Sequence, residues 1–219
     1  MPSSTIRRPR IDSLKLGALA PGELDELVDS GGADGQRFSE VDLEGHDLAN
    51  VTLREVHLDG ARSRDLQLRG SSLADVVIDR LDVPVLRASR SSWRSVRISE
   101  SRIGSGELYD SNWRSIRIAS SKLGYLNFRG STVTDVIISD CTIDELDLSG
   151  AEAQRIVFEK CVIRSLDVRQ AKLLDVDLRG VELHEVSGVQ NLRGTIVDSG
   201  QLDLLAPLLA SSIGITVAD

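Results

Sequence analysis

From Phe38 to Leu183, every fifth residue is apolar or small, and the register never slips. Thirty positions fall in this column, and only Ser63, Ala88 and Ala153 are not Leu, Ile, Val, Phe or Trp. A second inward column lies two residues earlier, through Val51, Val56, Ala61, Leu66, Ser71, Val76, Leu81 and Leu86 and on to Val181. The positions between and after the two columns are mostly polar, as in Ala171-Lys172-Leu173-Leu174-Asp175 and Val176-Asp177-Leu178-Arg179-Gly180.

A period of five fits neither the 3.6 of a helix nor the 2 of a plain strand. Two inward residues at i and i+2 make a very short strand, and the next two or three residues must turn the chain. Strand and turn in repetition close a polygonal coil. A longer period of twenty is also visible. Ser91-Ser92-Trp93-Arg94-Ser95-Val96-Arg97-Ile98 returns as Ser111-Asn112-Trp113-Arg114-Ser115-Ile116-Arg117-Ile118, so these segments are expected one above the other on adjacent coils. A period of ten runs through the second column. Small residues (Ser91, Ser101, Ser111, Ser121, Ser131, Cys141, Ala151, Cys161, Ala171) alternate with mostly larger ones (Val96, Ile116, Leu126, Val136, Leu146, Ile156, Leu166, Val176), Gly106 being the exception. Small and large inward residues on alternate sides fill a narrow core without overpacking, and predict a cross-section that departs from a square.

With this pattern, the chain resembles the pentapeptide-repeat family, whose motif is A(D/N)LXX, over residues 36–194. The resemblance implies an all-β fold, a right-handed quadrilateral parallel β-helix with four repeats to each 20-residue coil. Thirty repeats then give about 7.5 coils and a rod roughly 36 Å long at ~4.8 Å per coil. The best-known members of the family are quinolone-resistance proteins that bind DNA gyrase, resemble a DNA duplex in width and acidity, and dimerise at the C-terminal end. The uninterrupted repeat is similar to the loop-free members of that group.

A solenoid exposes core at both ends and needs caps. Residues 1–19 carry Arg7, Arg8 and Arg10 with no apolar segment of signal-peptide type behind them, and read as a short disordered tail. Residues 20–35 are expected to form an N-terminal capping helix, with Pro21 in its first turn and Leu24, Leu27 and Val28 on one face. Residues 195–219 are expected to form a helical C-terminal cap starting near Asp198, which Pro207 should break or restart. Its apolar set, Leu202, Leu205, Leu208, Leu209 and Ile213, reads as a lid on the last coil or as a dimerisation element.

Composition narrows the chemistry. Aromatic residues are only 3% of the chain, so the core is mainly aliphatic. A net charge of -8 rules against a general basic field, and direct nucleic-acid binding is not expected. No apolar run approaches the roughly 18 residues of a membrane span. Two cysteines, Cys141 and Cys161, do not make a disulfide framework and suggest a reduced, cytoplasmic protein; both are expected inside, stacked on adjacent coils. None of His46, His57 and His184 has partners at metal-ligand spacing. His46 is expected to be a hydrogen-bonded core residue and the other two to face outward. No phosphate loop, nucleotide fingerprint or nucleophile motif occurs, so no catalytic, metal or cofactor-binding residue is assigned and no cofactor is implied. The expectation is a non-enzymatic protein with a protein partner.

Where the charge sits decides between readings. Assigned by position modulo 20, the face centred on Leu43 through Leu183 has eight acids and five bases, and the other three faces balance to within one charge. Acids gather weakly at Asp144, Glu145, Glu182 and Glu185 on one face. A basic cluster sits mid-rod: Arg94 and Arg114 stacked on one face, Arg97 and Arg117 on the next, Arg90 nearby. It is a candidate binding patch, or a solvated corner partly paired with Glu100. Two functions follow: a macromolecular interaction scaffold, or a gyrase modulator acting by DNA mimicry.

Overall fold

The computed structural model describes residues 6–216 and is a right-handed parallel β-helix of about 9 turns with a short helix near each end. Residues 1–5 of the N-terminal tail and 217–219 of the C-terminal cap lie outside the described residues. The strands form two sheets of twelve and seven strands, and neighbouring coils are offset by twenty residues. Trp93 pairs with Trp113, Arg94 with Arg114 and Arg97 with Arg117, the stacking read from the repeat. All thirty residues of the main column are buried, including Ser63, Ala88 and Ala153. The coil count exceeds 7.5 because chain outside the repeat also pairs with it: Ala20–Pro21 lies parallel to Gln36–Arg37, and Thr195–Ile196 parallel to Val176–Asp177.

The corners are not alike. Seventeen non-glycine residues, all at positions divisible by five, take a positive φ between 49° and 62°. They form three corner columns together with glycines such as Gly60, Gly70, Gly130, Gly150 and Gly180. The fourth corner, left-handed at Gly45, is crossed from Val85 through Ser105, Tyr125 and Glu145 by continuous strands such as Arg102–Glu107 with no left-handed residue. Glycine suits such corners because it has no Cβ, yet here many of the corner positions carry side chains. A left-handed L-residue costs about 1–2 kcal/mol, and the ladders on either side hold it there.

The first helix, α1 (Leu24–Ser30), is shorter than the expected 20–35: it starts three residues after Pro21, and Gly32–Asp34 is a strand paired with Thr52–Arg54. Pro21 is not in its first turn but in the strand that joins Gln36–Arg37. The reason is Phe38, which closes the core at this end with 1% exposure. A Cβ at residue 22 would lie 2.5 Å from its ring, so Gly22 lets extended chain pass over it before the helix starts. Leu27 is buried, and Leu24 and Val28 pack against the core.

The second helix, α2 (Ser199–Ser212), opens with a capping box: the Asp198 carboxylate accepts from Gln201 N, and the Gln201 side chain accepts from Asp198 N. Gln201 Nε2 also donates to the carbonyl of Leu178, which accepts Val181 N as well, and to that of Val181, where the next coil's amide would otherwise bond. Pro207 does not break this helix. Its ring deletes one bond, to the carbonyl of Asp203, which is exposed and open to water.

The expected disordered tail is where the structure departs furthest from the sequence reading. Residues 6–19 run in extended form along the rod, from the coil of Asp175 back to that of Gly35. Arg7 N and Nε bond Asp175, Arg10 N donates to Asp135, Asp12 N to Ser115 Oγ, and Lys15 N to Asp75. Ala20 N then donates to the Gly35 carbonyl. We call this segment the strap. Its signal was present in the sequence: Ile6, Pro9, Ile11, Leu14, Leu16 and Leu19 are too many apolar residues for a disordered tail.

Candidate functional site

Side chains at positions 94 and 97 flank a corner occupied by Ser95, and those at 114 and 117 flank Ser115 one coil away. Strand pairing fixes the four arginines in two stacked pairs about 4.8 Å apart. All four, and Arg90, are exposed. Stacked like charges repel, and the expected relief from Glu100 is absent. Arg97 instead approaches Asp79 at 3.6 Å. Among the described residues, Arg90, Arg94, Arg114 and Arg117 make no ion pair.

The four acids also share one face. Glu145 and Glu185 stand in one column, two coils apart with Ser165 between them. Arg164 lies in their midst and pairs with Asp144 at 3.1 Å, and His184 approaches Glu182 at 3.0 Å. The acidic stripe is thus interrupted at its centre. The same pairing recurs along the rod: Arg80 bridges Glu40 and Asp59, Arg87 bridges Asp65 and Glu107, and Arg179 meets Asp177. Hydrogen bonds from Arg80 and Arg37 hold the Asp59 carboxyl below the usual carboxylate range.

The apolar set on α2 separates into two parts. Leu205 is buried against the body and Leu209 is half-buried, whereas Leu202, Leu208 and Ile213 are 51%, 42% and 73% exposed. Leu204 and Ile215 join them at the surface.

Histidines and cysteines follow the inward–outward pattern with one correction. His57 bonds Asp79 at 2.9 Å and His184 bonds Glu182, both outside the core. His46 is only half-buried, and its buried Nδ1 has no partner among the described residues. It sits below Val51, where the second column is not yet fully closed. Cys141 and Cys161 are free and buried. Burial pushes the Cys141 thiol up to about 11 and moves Cys161 the same way, so neither is poised as a thiolate.

The depressions on the rod are open troughs. One of about 330 Å³ lies over Gly104 and Gly124 and is lined by Arg102, Lys122, Asp144 and Arg164. It exists because two stacked residues lack side chains; a Cβ on Gly124 would lie 2.0 Å from the Gly104 carbonyl oxygen. Among the described residues there is no group of three or more His, Cys, Asp or Glu arranged to hold a metal, and no helix is long and apolar enough to cross a membrane.

No family model matches the sequence, and no curated protein does. Solved structures do, and the neighbours are pentapeptide-repeat proteins. Two are trypsin-treated variants of QnrB1, a plasmid-mediated fluoroquinolone resistance protein. One is 16% identical with a TM-score of 0.30, over 86% of this chain and 90% of that one. The other is 13% identical with a TM-score of 0.33, over 86% and 92%. A third is HetL, a pentapeptide repeat protein involved in heterocyst differentiation regulation from the cyanobacterium Nostoc, at 16% identity and a TM-score of 0.23 over 77% of this chain and 90% of that one.

Proposed function

We propose that this pentapeptide-repeat solenoid is a non-enzymatic scaffold that presents flat charged faces to a protein partner. The observation that carries the reading is the group of exposed arginines at 94, 114 and 117, held in register by strand pairing, with Arg90 at the adjoining corner, all left without ion pairs among the described residues. Most other arginines on the rod, such as Arg37, Arg80, Arg87, Arg129, Arg155 and Arg179, are matched to carboxylates. Arg54, Arg64, Arg69 and Arg102 are not, but none of them is stacked on another arginine, whereas here arginines are stacked coil on coil and stay available for an acidic partner. Capture from a lysate of the source organism with the native chain and with R94E/R97E/R114E/R117E tests it. A partner held by the first and released by the second is the expected result. An identical set on both, with the variant folded, would sink the reading.

The second reading is a modulator of DNA gyrase that acts by mimicking the duplex and confers resistance to quinolone-type poisons. The rod shape favours it; the charge pattern does not, because a duplex mimic needs a continuous acidic stripe and Arg164 interrupts the candidate one. In a supercoiling assay, excess protein is expected to leave gyrase unaffected with or without a fluoroquinolone. Inhibition or protection would reverse the preference.

The exposed leucines of α2 supply a surface for a second copy packed end to end. The chain is then expected to elute as a dimer and L202E/L208E as a monomer. A native chain that is monomeric at all concentrations would refute this.

A further inference from the structure

The corner beneath the strap differs from the other two left-handed corners. Their residues, such as Ser120, Asp140, Asp110 and Gln170, are exposed. Ser95, Ser115 and Asp135 have the same backbone conformation but only 2–4% exposure. The strap covers them. The column is also rich in acceptors, with Asp75, Ser95, Ser115, Asp135 and Asp175 at its corner positions, interrupted by Arg155, whose guanidinium bonds Asp135.

The strap has its own five-residue register. Ile6, Ile11 and Leu16 form one half-buried series and Pro9, Leu14 and Leu19 another, while Arg8, Ser13 and Ala18 face out. Backbone donors lie between, at Arg7, Arg10, Asp12 and Lys15. From Arg7 to Asp12 the acceptor moves from Asp175 to Ser115, three coils for five residues. From Arg10 to Lys15 it moves from Asp135 to Asp75, again three coils. Three coils span roughly 14 Å, which is about 2.9 Å per strap residue, close to the rise of an extended polyproline-type chain.

Charge follows the same register. The strap's only acid, Asp12, sits at Ser115, between Arg94 and Arg114 on one side and Arg97 and Arg117 on the other. Of its four bases, Arg7, Arg10 and Lys15 sit at Asp175, Asp135 and Asp75, and Arg8 faces out near Asp177. The bonds that hold residues 7–15 go to side chains of the corner, whereas the coils are joined to one another by backbone ladders. The strap can therefore leave without opening a coil.

We propose that this corner is a docking groove for an extended polypeptide, occupied in the structure by residues 6–17 and open to a partner segment with the same spacing once they leave. The occupant it fits is apolar at the first and fourth residue of each five, acidic at its centre and basic at its flanks. The inference rests on the scaffold reading and names the kind of partner.

A labelled synthetic peptide of residues 5–18, titrated by fluorescence anisotropy, tests it on the full chain and on a chain lacking residues 2–16. Saturable one-to-one binding to the shortened chain is expected, at least tenfold weaker to the full chain, where the strap competes. A peptide with one glycine inserted after Arg10 loses register and should bind at least tenfold more weakly. A folded shortened chain that ignores the peptide, or chains and peptides that bind alike, would overturn the groove. If the shortened chain does not fold, hydrogen exchange on the full chain decides. The amides of Arg10 and Asp12 must exchange faster than ladder amides such as Val133, and equal protection refutes a releasable strap. Failure here leaves the arginine-face capture result standing, so the two readings fall separately.

Discussion

Trp113→Ala is expected to destabilise the rod by about 3–5 kcal/mol, the usual cost of deleting a buried large aromatic. Trp113 is 2% exposed, stacks on Trp93 with ring centroids 4.6 Å apart, and meets Phe128 in a T-shaped contact at 4.9 Å. These three rings are the bulkiest cluster in a mainly aliphatic core whose other aromatic residues, Phe38 and Phe158, lie apart from them in the sequence. Truncating the middle one leaves a cavity that closed coils cannot collapse around. Trp113→Phe is the informative contrast. The indole N–H of Trp113 is buried without a partner among the described residues, whereas that of Trp93 reaches Ser71 Oγ at 3.4 Å. Phenylalanine removes the orphan donor and keeps a ring, so the cost should stay below about 1.5 kcal/mol. Denaturant unfolding followed by far-ultraviolet circular dichroism checks both. An alanine variant as stable as the native chain would mean that the stack contributes nothing.

Asp135→Ala is expected to cost about 2–4 kcal/mol. Its carboxylate is 4% exposed and takes both Arg155 Nε at 2.6 Å and Nη2 at 2.8 Å, as well as the amide of Arg10 from the strap. Removing it leaves a guanidinium only 16% exposed without its counter-charge, which is the expensive way to break a buried pair. Burial alone would raise the Asp135 carboxyl; the bonds from Arg155 and from the Arg10 amide outweigh it and hold it below the ordinary value. The sign of the pH effect follows. A carboxyl whose folded value is depressed contributes stability that is fully present above its unfolded value near 4, and that contribution is lost as pH falls through the folded value. Asp59, Asp167 and Asp177 shift in the same direction. The unfolding midpoint should therefore drop on acidification below about pH 4, and Asp135→Ala should flatten part of that drop. Asp135→Asn keeps an acceptor for Arg10 and should protect the strap amides better than alanine. If the two variants expose the Arg10 amide equally, the strap does not depend on this bond.

The sequence by itself determined the coil. The inward columns, the twenty-residue return that stacks Arg94 on Arg114, and the burial of Cys141 and Cys161 all follow from a side-chain period and a strand spacing, both of which are local. The same logic placed α2 at Asp198, where a short acidic side chain meets three free amides. It misjudged Pro207 because the cost of a proline depends on whether the bond it deletes faces water, and His46 because the second column does not close until Val51.

Only the tertiary structure decided what lies over the corner. The strap bonds join residues 168, 125, 103 and 60 positions apart. No window along the chain contains both partners, and the apolar residues from Ile6 to Leu19 have no meaning until a stacked column of Asp and Ser exists to receive the amides beside them. The arginines at 94, 97, 114 and 117 show the same division. Their register is written in the repeat, but their setting on either side of Asp12 appears only when the rod has formed and residues 6–19 lie along it.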